Sequence, residues 1–197
     1  MVNFVGSQTE KNLITHCVHE TFAAQLYENF GKAAAKEGHN VIAKIFSETA
    51  AMERQHANQF YSFLQGGDVT IHSSFPAGVP GTARVGNTIQ NLESAIQGET
   101  GEFNVSYPEA ARIALSEGFS EVAERYTAIA AAERFHAIRF QHYLDKLKNN
   151  SMYSSPDVQI WVCTNCGHIH EGTEAPDTCP ACVHPKGYFE ADTRFMK

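Results

Sequence analysis

A carboxylate and an imidazole three residues apart occur twice in this chain, in MERQHANQF at 52–60 and in AERFHAIRF at 132–140. Glu53 and His56 fall on an apolar stripe with Phe46, Thr49, Phe60 and Phe63, and Glu133 and His136 fall on another with Val122, Tyr126, Ile129, Phe140 and Tyr143. Steps of three and four of this kind mark a helix that faces a core. Residues three apart leave a helix roughly 60° from one another, so each pair is aimed inward together. On one face, a carboxylate and an imidazole can share a metal ion or neutralise one another as a buried pair.

The segments that must position them repeat as well. EGHNVIAKIFSETAAMERQHANQFYSFL at 37–64 aligns without a gap on EGFSEVAERYTAIAAAERFHAIRFQHYL at 117–144, an offset of 80. Before each copy runs another helical stripe with inward acids: Leu13, Cys17, Glu20, Ala24 and Tyr27 in the first half, and Thr88, Leu92, Ala95, Glu99, Glu102 and Ser106 in the second. SQTE at 7–10 fits a capping box at the first helix start. Gly38 and Gly118 stand where each helix pair turns and where a left-handed residue is needed. Four long helices in two hairpins, joined by the Gly- and Pro-rich stretch at 66–86, predict an all-α four-helix bundle with a long central crossover. Glu20 precedes Gly38 by 18 positions, whereas Glu99 precedes Gly118 by 19. That extra residue, close to Pro108, predicts a bulge or kink in the third helix.

Collected from the four stripes, Glu20, Glu53, His56, Glu99, Glu102, Glu133 and His136 place five carboxylates in one core. Burying each costs several kcal/mol unless a cation compensates. The stripes hold no Lys or Arg, and Arg54, Arg125, Arg134 and Arg139 fall on other faces. Bound metal is the remaining compensating charge. Carboxylates with one imidazole per ion suit iron or manganese, and this ligand set is the di-iron or di-manganese pattern of ferritin-like bundles. Glu53 and Glu133 are placed to bridge two ions, with Glu20 and Glu99 terminal. Glu102 is surplus, because its counterpart in the first half is Ala23.

Four of the five cysteines form Cys163-x-x-Cys166 and Cys179-x-x-Cys182, with twelve residues between the pairs. In a chain expected to be cytoplasmic, that spacing reads as a metal site before it reads as disulfides. The motif by itself favours a structural zinc ribbon, since tetrathiolate geometry suits zinc and iron alike. Attachment to a redox-active di-metal bundle reverses the order, because such a centre needs a one-electron source and zinc has no redox chemistry. Trp161 and Phe189 are expected to pack around the cysteine turns, His168 and His170 to lie outside the ligand set, and Cys17 to be a small buried core residue. The organisation is thus a bundle over 1–149, a linker over 150–157 and a cysteine module over 158–197, which is too small for a core of its own and folds around metal.

Composition bounds the partners. Fifteen Lys plus Arg against 22 Asp plus Glu give a formal charge of -7, which argues against a nucleic-acid surface. The longest wholly apolar run, AIAAA at 128–132, is far short of a membrane span. MVNFVGSQTEKN lacks the basic start and apolar middle of an export signal, so a cytoplasmic location is expected.

These residues together resemble the rubrerythrin family over nearly the whole chain: a ferritin-like di-iron domain followed by a rubredoxin-like domain. The matching residues are HE ending in Glu20, ERQH for Glu53 and His56, GETGE for Glu99 and Glu102, ERFH for Glu133 and His136, and VCTNCG with CPACVHPKGYF. The resemblance implies that Glu102 and His56 exchange as ligands of one iron when the redox state changes. It also implies that Tyr27 and Tyr107 stand beside the site. The implied activity is reduction of hydrogen peroxide to water, with electrons passing from an NAD(P)H-dependent reductase or a rubredoxin through the four-cysteine iron, in a homodimer. A ferritin-type ferroxidase, a di-iron oxidase using dioxygen and a zinc-ribbon regulatory protein are the alternatives.

Overall fold

A computed structural model describes residues 3–64 and 84–192. Five α-helices come first: α1 (Gln8–Lys36), α2 (Asn40–Ser62), α3 (Thr88–Gly101), α4 (Tyr107–Glu117) and α5 (Ser120–Lys148). Between α3 and α4 the chain continues as one π-helical stretch, Glu102–Ser106, so the third rod of the bundle is α3, the π turn and α4 end to end. The π turn absorbs the additional residue counted between Glu99 and Gly118.

Helix ends follow local chemistry. The Ser7 side chain accepts from the Glu10 amide, while the Glu10 carboxylate reaches the Gly6 N–H rather than that of Ser7, a shifted form of the expected box. Asn87 and Gln90 make a complete reciprocal box at the start of α3. Gly38 and Gly118 turn with φ of 86° and 94°. The repeat also satisfies itself across the bundle. Glu37, at the end of α1, accepts from the Thr88 amide at the start of α3, and its equivalent Glu117 accepts from the amides of Gln8 and Thr9 at the start of α1. Each half therefore caps the other at opposite ends of the bundle. α3 starts where α1 ends, while α2 returns to the end where α1 starts; the crossover expected at 66–86 lies mostly outside the described residues.

The bundle interior is divided. One apolar cluster, near the α1–α2 turn, contains Tyr27, Phe30, Phe46, Leu92 and Phe140; the other, toward the start of α1, contains Leu13, Phe60, Tyr107, Tyr126 and Ile129. Glu20, Glu53, Glu99 and Glu133 each lie in sequence between members of the two clusters, so the acids form a layer closed on both sides by packed apolar side chains.

The C-terminal module is a three-stranded antiparallel sheet of order β2-β1-β3, with β1 Ser154–Cys163, β2 Ile169–Glu174 and β3 Phe189–Ala191. β1 begins inside the stretch read as linker, because Met152 is buried in the bundle core and Tyr153 packs on both the bundle and module clusters. The module docks on the α1–α2 turn. His39 stacks on Tyr153 and its Nδ1 lies 3.2 Å from the tyrosine hydroxyl, Tyr143 donates to Glu190, and Gly187 packs against the Gly38 carbonyl so closely that a Cβ there would fall 1.8 Å from the oxygen.

Candidate metal centre

All four rods contribute to the acid layer. Glu20 comes from α1, Glu53 and His56 from α2, Glu99 from α3, and Glu133 and His136 from α5. Among the described residues, two groups have ligand atoms mutually within 4.8 Å: Glu20, Glu53, His56 and Glu133; and Glu53, Glu99, Glu133 and His136. Glu53 and Glu133 belong to both. Glu53 Oε2 lies 2.9 Å from His56 Nδ1 while its Oε1 lies 3.1 Å from His136 Nδ1; Glu133 Oε1 and Oε2 each stand 2.8 Å from the same two nitrogens. Each bridging carboxylate thus offers one oxygen to each group. Glu20 Oε1 lies 3.9 Å from His56 and Glu99 Oε2 3.5 Å from His136, so each of these acids belongs to one group alone.

The hydrogen-bond inventory shows whether these groups fit metal. Glu20 Oε2, Glu53 Oε1, Glu99 Oε2, both oxygens of Glu133 and His136 Nδ1 are buried and make no hydrogen bond of acceptable geometry. A buried unpaired polar atom costs about 1–3 kcal/mol, and here six such atoms converge. Among the described residues no arginine or lysine enters the layer: Arg54 pairs with Glu28, Arg139 with Glu48, and Arg125 donates to Gln59. Lone pairs aimed at shared points, with no lysine or arginine among them, are what a pair of bound cations requires.

Electrostatics agree. Burial and then the neighbouring acids, Glu102 foremost for Glu20 and Glu53 for Glu99, push both carboxyls well above the ordinary range. Burial would depress both imidazoles, but contact with Glu133 and Glu53 overrides it, raising His56 to about 9 and His136 to about 12. For Glu53 burial pulls upward, and the close approach of the His136 and His56 imidazoles brings its pKa below the usual value. Two tyrosines brace the terminal acids. Tyr27 donates to Glu99 at 2.5 Å and Tyr107 donates to Glu20.

Glu102 stands apart. It opens the π turn and is half-buried, outside both ligand groups, with its carboxyl raised by burial and by Glu133 and Glu53. In this structure His56 is inside its group and Glu102 is withdrawn. Cys17, expected in the core, is half-exposed; the buried residue of that turn is His16. His16 was not singled out from sequence, because its neighbour Cys17 fitted the stripe better.

The cysteines form the second centre. Cys163 and Cys182 sulfurs stand 3.7 Å apart, as do Cys166 and Cys179. That is too far for a disulfide and matches the edge of a tetrahedron with metal–sulfur bonds of about 2.3 Å, roughly 3.8 Å. The two turns are alike. The Gly167 amide donates to Cys163 O and the Val183 amide to Cys179 O, and both residues have positive φ, 78° and 63°. Trp161 and Phe189 are fully buried with Cys163 and Cys179, and neither His168 nor His170 joins the ligand set.

Residues 11–149 match the rubrerythrin family model, and 161–190 match that of the rubrerythrin rubredoxin-like domain. This chain belongs to the rubrerythrin family. It is 43% identical over 190 residues to the rubrerythrin of Nitratidesulfovibrio vulgaris, covering 96% of this chain and 97% of that one, and 40% identical over 185 residues to the rubrerythrin of Porphyromonas gingivalis, covering 94% and 90%. A solved structure of nigerythrin in a mixed-valence state superposes with a TM-score of 0.63 at 31% identity, over 95% of this chain and 87% of the other. The rubrerythrin architecture is a ferritin-like bundle whose carboxylate and histidine site holds two irons and a rubredoxin-like module whose four cysteines hold one. Among the described residues no helix is long and apolar enough to cross a membrane.

Proposed function

We propose that this rubrerythrin is a non-haem di-iron peroxidase that reduces hydrogen peroxide to two waters and so protects against oxidative stress. The observation that carries the reading is the inequality of the two halves: His56 lies within its ligand group, while Glu102, the acid with no counterpart in the repeat, stands beside it on a π turn. A site that can trade one ligand for another without moving its bridges suits a change of charge on one ion and not the other. Glu53 and Glu133 are the bridging ligands, Glu20 and Glu99 the terminal ones, His136 the fixed imidazole, and His56 and Glu102 the exchanging pair.

When bound, the two irons supply the two electrons that split the O–O bond, and two protons complete the waters. The chain supplies the rest. The apolar clusters on either side exclude bulk water, so charge inside the layer is felt strongly. Tyr27 and Tyr107 hold the terminal carboxylates in place. Glu102, whose carboxyl is raised by burial and nearby acids, holds a proton more readily than an ordinary carboxylate and is placed to pass one to a departing oxygen.

Cys163, Cys166, Cys179 and Cys182 would hold the iron that supplies electrons to the bundle one at a time. Cys166 is exposed, giving a reductase linked to NAD(P)H or a rubredoxin a point of approach. The division that fits is a bundle over 1–149 and a cysteine module whose sheet already begins at Ser154, four residues before the expected 158. A homodimer is part of the proposal. Phe135, Ile138 and Leu115 are 54%, 59% and 65% exposed, and an apolar groove between α4 and α5 is lined by Ala111, Leu115, Ala123 and Ala128. The function is tested by mixing anaerobically reduced, iron-loaded protein with peroxide or with dioxygen in a stopped-flow instrument. Faster reoxidation by peroxide is expected, and faster reoxidation by dioxygen would make the protein an oxidase.

A further inference from the structure

Outside the ligand set, the least explained buried polar pair is His16 and Tyr126. Tyr126 is fully buried on α5, seven residues and thus about 10 Å along the helix from Glu133. Its hydroxyl lies 2.9 Å from Nδ1 of His16 on α1. His16 is itself buried, and burial, then nearby His19, hold its pKa down to about 3, so the ring is neutral, and with its one proton on Nε2 it leaves Nδ1 to accept from the phenol. The pair opens onto the metal layer through aromatic contacts. The Tyr126 and Tyr107 rings are 5.7 Å apart, His16 packs edge-on against Tyr107 at 5.0 Å, and the Tyr107 hydroxyl reaches the Glu20 carboxylate.

From this geometry we propose that Tyr126, with His16 as its proton acceptor, is a reserve one-electron donor to peroxide at the di-iron site. The inference rests on the peroxidase reading. A single iron on four cysteines hands over one electron at a time, whereas peroxide takes two, so the bundle passes through states that hold one. Peroxide met in such a state would be left half-reduced. With Tyr126 the balance closes: one electron comes from the site and one from the phenol, two protons come from solvent, and hydrogen peroxide becomes two waters. The Tyr126 O–H proton moves to His16 Nδ1, leaving a neutral phenoxyl radical. A one-electron-oxidised phenol is a strong acid, so an imidazole of low basicity still takes its proton. The next electron from the module and the proton on His16 restore the phenol.

Tyr27 and Tyr107 are less suited although they stand nearer. Their hydroxyls donate to Glu99 and Glu20, so losing a proton there would protonate a metal ligand. Tyr126 has a base that binds no metal.

The test uses the full-length, iron-loaded protein, fully reduced and freed of reductant. With two irons in the bundle and one in the module, each chain carries an odd number of electrons, so excess peroxide must meet a one-electron state. Samples are freeze-quenched for electron paramagnetic resonance, and peroxide consumption is followed in parallel. A phenoxyl signal is expected that narrows with ring-deuterated tyrosine, disappears in Tyr126→Phe, decays faster in His16→Phe and persists in the exposed control Tyr61→Phe. Peroxide consumption without a radical, or a radical that survives Tyr126→Phe, overturns the reserve-donor role and leaves the peroxidase reading standing. No peroxide consumption overturns both.

Discussion

At the residue scale the deciding position is Glu102. It is the one inward acid whose repeat partner is an alanine, and the structure sets it beside the ligand groups rather than in them. Glu102→Ala is therefore expected to bind two irons in the bundle, because both groups are complete without it, while losing most peroxide turnover. Metal analysis and stopped-flow reoxidation on one preparation check this, and unchanged turnover would remove Glu102 from the mechanism. Protonation offers a second check. Without metal, Glu20 and Glu99 are held above their ordinary values, and His56 and His136 are raised to about 9 and about 12. At pH 7 the two imidazoles carry protons that metal must displace, and the raised carboxyls add to that competition. The sign follows directly: loading releases protons, and affinity climbs as pH rises toward about 9. Calorimetric titration of ferrous iron in buffers of different ionisation enthalpy should show net proton release, and a heat independent of buffer would contradict it.

At the scale of the element, two devices do opposite things to the backbone. The π turn inserts one residue so that Glu99 keeps register with Glu20 while Glu102 is carried aside. Each cysteine turn needs a residue of positive φ after its second cysteine. The first uses Gly167, but the second uses Val183, a β-branched residue at φ 63° whose side chain is 79% exposed. Such a conformation costs roughly 1–2 kcal/mol for an L-residue, and little burial would be lost with this side chain. Val183→Gly is expected to stabilise the module by about 1 kcal/mol, read as a higher temperature for loss of the iron–thiolate absorption. A lower temperature would mean that the valine contributes packing not evident here.

For the whole molecule, the arrangement depends on how the module seats on the bundle. Gly187 meets the Gly38 carbonyl with no room for a Cβ, beside the stacked His39 and Tyr153 and the Tyr143–Glu190 hydrogen bond. Gly187→Ala must push the two apart. Faster hydrogen exchange over residues 38–40 is expected, with the iron–thiolate absorption intact because no cysteine is touched. Unaltered exchange would show that the seat yields without cost.

What the sequence determined by itself was the chemistry. Glu-x-x-His repeated at an offset of 80, an inward acid on each preceding helix and the absence of basic residues from the stripes already required bound cations. Two C-x-x-C pairs fixed the second centre in the same way, since helix periodicity and short turns are local properties that spacing records. The extra residue before Gly118 was also countable, and it became the π turn. Tertiary structure decided the rest, because it depends on which side chains meet across helices. Only packing could show that Glu53 and Glu133 each face both imidazoles, and that Glu37 and Glu117 cap the opposite halves. Only packing brought His16 beneath Tyr126, through contacts more than a hundred residues apart in the chain that leave no period to read.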